Sequence, residues 1–155
     1  MEEKKNPEAL LLAGNTIQIV PSGYSMYPLV NPNHGDAVIL EPLGDRRPKK
    51  GEVVLFRRCS TANPGEGDLL VLHRIVRVTA EGYYLVGDNQ SQPEGPVERS
   101  QMCGVMTAVV KRGRRLSVTD LRYRLLCGLW RFFLPIRPTL LRFAVWCRKR
   151  ILRRK

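Results

Sequence analysis

Leu69-Leu-Val-Leu-His-Arg-Ile-Val-Arg-Val-Thr79 reads as one long β-strand. Leu, Val and Ile dominate it, and no Gly, Pro, Asn or Asp interrupts it. Similar but shorter runs lie on both sides: Thr16–Val20, Ala37–Glu41, Glu52–Arg57, Tyr83–Val86 and Met102–Lys111. Clusters of turn-forming residues separate them, with two long connections at Pro42–Gly51 and Arg58–Asp68. Eleven Pro and thirteen Gly among 155 residues suit many turns and argue against a helical bundle. The expectation is a mainly β domain, preceded by one or two helical turns over Asn6–Ala13 that dock a Leu patch.

The pattern changes after Gly113. Leu121, Leu125, Leu126, Leu129, Phe132 and Phe133 recur at helical spacing behind Ser117 or Thr119 as N-cap. Pro135 and Pro138 break that helix, and a second helix is expected from Pro138 to about Leu152. The sequence therefore divides into a β-rich catalytic-type domain, 1–113, and a basic amphipathic helical tail, 114–155. Charge follows the same division. Residues 111–155 carry a net +14 and residues 1–110 a net −2, within a total of +12. Three arginines and two prolines interrupt the apolar stretch Leu125–Trp146. Each charge at a bilayer centre costs about 2.5–3.5 kcal/mol, so a spanning helix is disfavoured. A hairpin lying in the interface of an anionic membrane suits the composition, which makes peripheral membrane association the expected localisation, with the membrane face left open. The tail's aromatics cluster with leucines rather than at base-stacking intervals, which disfavours nucleic acid as a partner. At the other end, the apolar run Ala9–Ala13 is too short for a signal-peptide core or a spanning helix, so no N-terminal anchor is expected.

Three positions carry candidate chemistry. Ser25 lies in Pro21-Ser-Gly-Tyr-Ser-Met-Tyr-Pro28, His73 lies in the long strand, and Asp88 lies in Gly87-Asp-Asn89. A serine becomes a nucleophile when a neighbouring base takes its proton, and that base works best when a third group orients it. The other histidine, His34, falls in the turn-rich Asn31-Pro-Asn-His-Gly-Asp36 and reads as an exposed loop residue. No lysine occurs between Gly51 and Val110, and arginines do not deprotonate. His73 is therefore the conventional base available from this part of the chain. Gly23 would let the serine turn expose its hydroxyl and present backbone N–H groups to an oxyanion, and Met26 would line a substrate pocket. Cys59, Cys103, Cys127 and Cys147 are widely spaced, which argues against a zinc site and suits reduced thiols.

Ser25-Met26-x-Pro28, Gly51-Glu-Val-Val-Leu-Phe56, Leu72-His-Arg-Ile75 and Gly87-Asp-Asn89 resemble, in order, the successive boxes of the signal peptidase I / LexA-like serine peptidase superfamily. The likeness spans about residues 14–112, and His73 in the base box is similar to the histidine branch of endoplasmic-reticulum and archaeal type. The resemblance implies an irregular β-barrel or sandwich-like catalytic domain and an endopeptidase that processes signal or leader segments of other polypeptides without a cofactor. It implies small residues before the cleaved bond. It also implies a second acidic position a few residues after Gly-Asp-Asn, where Glu94 stands, so that Asp88 or Glu94 would orient His73. Two departures stand beside the likeness. Family members usually carry an N-terminal anchor, and too few residues precede the first strand for a repressor's DNA-binding unit. A non-catalytic peptidase-like module, tethered to a membrane or a maturation complex, is the alternative class.

Overall fold

The computed structural model describes residues 6–59 and 68–132. Eight antiparallel strands form a single sheet curled into a half-barrel, which bears out the mainly β expectation. They are β1 (Ile17–Ile19), β2 (Ala37–Pro42), β3 (Val53–Arg58), β4 (Leu69–Val78), β5 (Tyr83–Val86), β6 (Glu94–Val97), β7 (Met102–Lys111) and β8 (Arg114–Ser117). The order across the sheet is β1-β2-β7-β3-β4-β5-β6, with β8 pairing the outer part of β7. Two short helices complete the described chain, α1 (Pro7–Leu12) and α2 (Leu121–Phe132). The second helix expected from Pro138 and most of the expected Arg58–Asp68 connection lie outside the described residues.

Side-chain alternation along the strands divides the core in two. Val53 and Leu55 join a cluster with Leu11, Met26, Leu40, Leu72, Tyr123 and Cys127. Val54 and Phe56 face the other way, with Ile75, Tyr83, Leu85 and Met102. α1 closes the first cluster: Asn6 Oδ1 caps it through the N–H of Glu8 at 3.0 Å, and buried Leu11 packs against Gly104. A Cβ on Gly104 would come within 2.8 Å of Leu11, so the bare backbone of β7 makes that docking fit.

Two strands were not foreseen. β6 has the sequence Glu-Gly-Pro-Val, whose Gly and Pro read as a turn, yet it pairs with β5 through Tyr83–Val97 and Leu85–Glu94. β8 is Arg-Arg-Leu-Ser, which reads as part of a basic tail, yet it pairs with β7 through Lys111–Arg114 and Ala108–Ser117. Arg112 and Gly113 at φ 48° and 75° make the two-residue hairpin between them. The division at 113/114 is thereby corrected, because it cuts a hairpin. The polypeptide after Gly113 continues the sheet and then contributes buried Tyr123 and Cys127 to the core. The cap of α2 is corrected too: Asp120 Oδ1 accepts the N–H of Arg122 at 2.8 Å, while the Ser117 and Thr119 hydroxyls bond each other.

Candidate active site

His73 lies on β4, between β3 and β5, opposite Val54. Its ring is almost completely buried, with Phe56 tilted against it at 6.1 Å between centroids. Nδ1 of His73 donates to Oε1 of Glu94 on β6. That carboxylate is gripped from its other side by Arg58, at the end of β3. Arg58 Nε donates to Oε2 at 2.6 Å and Nη2 donates to Oε1 at 2.7 Å. Burial pushes the His73 pKa below 6.5, against the opposing charge and hydrogen bond of Glu94, with Arg58 adding to the depression. Burial alone would raise Glu94, but the hydrogen bond from Arg58 and the charge of His73 win and hold its carboxyl below the usual value.

Asp88 is occupied elsewhere. Its two oxygens accept from Arg74 Nε and Nη2, both at 2.8 Å, and both side chains are buried. Arg74 also donates to the carbonyl of Gly51 at 2.7 Å and lies against the Tyr123 hydroxyl and the Cys127 thiol of α2. Although burial opposes its charge, Asp88 raises the Arg74 pKa further above its ordinary value. Trp130 of α2 closes the group by donating Nε1–H to the Asp88 carbonyl at 2.9 Å. The division of labour between the acids follows from strand geometry. His73 and Arg74 are consecutive on β4, so their side chains leave opposite faces of the sheet. Asp88 meets the Arg74 face and Glu94 meets the His73 face. The expectation of Asp88 beside the imidazole is corrected on that ground, and the second expected acid, Glu94, takes the place.

Ser25 sits on the turn that follows β5. Its carbonyl accepts the N–H of Asn89 at 2.7 Å. Gly87 lies directly beneath it: a Cβ there would fall 2.7 Å from the Ser25 carbonyl oxygen and 2.9 Å from the Ser25 Cβ. The glycine is thus needed for room, since only a bare backbone lets the serine turn settle here. The sheet pairs Arg74 with Val86, the last residue of β5, and Gly87 follows directly. The serine turn therefore packs against the residue that follows β5, next to the β4 segment that carries His73, and Ser25 Oγ makes no hydrogen bond to His73.

The serine turn is held from below and behind. Met26 is 1% exposed and anchors the turn in the core, so its expected place in a substrate pocket is corrected to that of a core plug. Gly23 is exposed, and a Cβ on it would meet nothing within 4 Å, so the turn does not require glycine there for space. Lys111, at the end of β7, donates to the Pro28 carbonyl at 3.3 Å and pairs with buried Asp36 at 3.1 Å. Asp36 in turn accepts the Asn31 N–H at 2.9 Å, tying down both ends of the Pro28–Asn31 stretch. His34 is exposed, as its turn-rich sequence suggested. Sequence reasoning missed Arg58, Arg74 and Lys111. For Arg74 a signal existed, because a charged residue inside an apolar strand needs a buried counter-ion.

Comparison with protein-family models, curated proteins and solved structures gives no match for this chain.

Proposed function

We propose that the chain is a serine endopeptidase of the signal-peptidase-like type, with Ser25 as nucleophile, His73 as base and Glu94 as its orienting acid. The reading rests above all on the buried His73, whose Nδ1 is committed to Glu94, with the Ser25 turn packed on Gly87 at the end of the neighbouring strand. With Nδ1 carrying the proton, Nε2 keeps its lone pair and can take a proton from a hydroxyl. Ser25 Oγ then attacks a peptide carbonyl, His73 receives its proton, and the imidazolium formed is stabilised by Glu94. Collapse of the tetrahedral intermediate returns that proton to the leaving amine. Water next attacks the acyl-enzyme by the same relay, releasing the second product. Catalytic hydrogen bonds commonly tighten only when substrate is bound, which suits an unengaged Ser25 Oγ in the free enzyme. The substrate is an extended polypeptide. β1 is at the sheet edge and runs directly into the serine turn, so a strand added along it would deliver a peptide bond to Ser25. A fluorophosphonate probe should label Ser25 in wild-type protein, located by peptide mass mapping, and His73→Ala should not be labelled. Equal labelling of both would remove the Ser–His assignment.

α2 supports a proposed position at a membrane surface. Tyr123, Cys127 and Trp130 face the sheet, whereas Leu121, Leu125 and Leu129 are 67%, 63% and 59% exposed, beside exposed Arg122 and Arg124. No described helix is long and apolar enough to cross a membrane. An apolar helix face flanked by arginines suits the interface of an anionic bilayer, and we assign peripheral membrane association to it. Replacing Leu125 and Leu129 together by Asp in the full chain should cut binding to phosphatidylserine-containing vesicles by at least tenfold in a sedimentation assay. Undiminished binding would remove α2 from the membrane contact.

A further inference from the structure

Glu94 is a flexible side chain on a short strand that pairs with β5 at only two positions, and it is 28% exposed. By itself it would sample several rotamers, and water would compete for its oxygens. Two groups hold it: Nδ1 of His73 and the guanidinium of Arg58. The contact spans 36 residues of sequence and depends on the curl of the sheet, which brings the end of β3 over to β6. We propose that Arg58 is a positioning residue, whose two-pronged grip fixes the Glu94 carboxylate in the plane and orientation needed to hold Nδ1 of His73. The proposal rests on the Ser25–His73 reading above and adds a fourth member behind it.

The chemistry of the pair supports a role beyond charge. A planar guanidinium donating through Nε and Nη2 matches both carboxylate oxygens at once and fixes the plane of the carboxylate, which an ammonium cannot do. Oε1 receives both Arg58 Nη2 and His73 Nδ1, so the same oxygen that Arg58 orients is the one that meets the imidazole. Among the described residues, the charged groups acting on His73 are Glu94 from β6, Arg58 from β3 and Asp88 from the turn after β5, and Asp88 is itself held by Arg74. Among the described residues, Arg58 is thus the cation placed to set the Glu94–His73 geometry.

The test is a mutant cycle read in two ways. Arg58→Ala should lower kcat for peptide cleavage by about 10- to 100-fold with KM nearly unchanged, and Arg58→Lys should recover little of it. In a Glu94→Gln background, Arg58→Ala should cost less than about twofold, because Arg58 acts through Glu94. The second readout needs no catalysis. The Nδ1–H proton of His73 should give a far-downfield resonance in wild-type protein, protected from water, and Arg58→Ala and Arg58→Lys should broaden or abolish it while far-ultraviolet circular dichroism stays unchanged. An unaltered resonance in Arg58→Ala, or equal losses of kcat in both backgrounds, would overturn the proposal. If no variant or wild-type protein cleaves peptide, the peptidase reading fails, while the resonance still decides whether Arg58 positions Glu94.

Discussion

Ser25→Ala and His73→Ala should each lower the rate of peptide cleavage by about 10⁴-fold or more, and the double variant should be scarcely worse than either alone. Non-additivity is the part of this result that identifies a mechanism. If Ser25 is activated only through His73, removing either leaves the same residual catalysis from substrate binding and oxyanion stabilisation. Two independent contributions would multiply instead. The pH profile gives a second check with a definite sign. His73 must be neutral to accept the serine proton, and burial sets its pKa below the ordinary 6.5. The acidic limb of kcat/KM should therefore have its midpoint below pH 6.5, with activity persisting as pH falls to that value and declining beneath it. A limb at or above 6.5 would mean that another group, or a more exposed histidine, is titrating. Wild-type rates in Ser25→Ala would end the serine mechanism outright.

The site has these partners because the fold sorts side chains by face, and that sorting decides how much of it the sequence could reveal. β4 and β7 were legible because long apolar runs with clear stops leave few alternatives. β6 and β8 were hidden because local composition opposes them. Glu-Gly-Pro-Val and Arg-Arg-Leu-Ser become strands by pairing with neighbours, so tertiary context overrides propensity. Ser25 and His73 could be nominated from residue type and from the absence of lysines nearby. The third member could not, because the choice between Asp88 and Glu94 turns on which side of β4 each one meets. One unused clue was the dipeptide His73-Arg74. Adjacent strand residues face oppositely, so an acid that satisfies the arginine cannot also hold the imidazole. Arg58 and Lys111 were beyond reach, since their partners come together only through the curl of the sheet and through β7 reaching the serine turn. The helix after β8 was read correctly as amphipathic, but not as a wall of the site. Trp130 against Asp88, and Tyr123 and Cys127 against Arg74, make α2 part of the β-rich domain.

The two acids should separate cleanly when each is replaced by its amide. Asp88→Asn removes the anion that faces Arg74 in a site where the two side chains are 1% and 4% exposed. An unpaired buried guanidinium costs about 3–5 kcal/mol, a large share of the roughly 5–15 kcal/mol that holds a domain together. At about 3 °C per kcal/mol for a chain of this size, Tm should fall by roughly 10 °C or more in a calorimetric scan. Replacing both partners by apolar residues of similar volume, Asp88→Leu with Arg74→Met, should recover much of that loss, because no charge is then left buried. Glu94→Gln has the opposite profile. The side chain is partly exposed and Arg58 keeps access to water, so Tm should move by only a few degrees. Catalysis should fall by about 10²- to 10⁴-fold, because a neutral amide neither fixes the Nδ1–H tautomer nor stabilises the imidazolium. Activity per folded molecule should therefore fall far less in Asp88→Asn than in Glu94→Gln. The reverse outcome, with Asp88→Asn stable but inactive and Glu94→Gln active, would return the orienting role to Asp88. It would also require the faces of β4 to exchange their partners, which a strand register so heavily fixed by Val54, Leu72 and Ile75 in the core does not permit without unfolding.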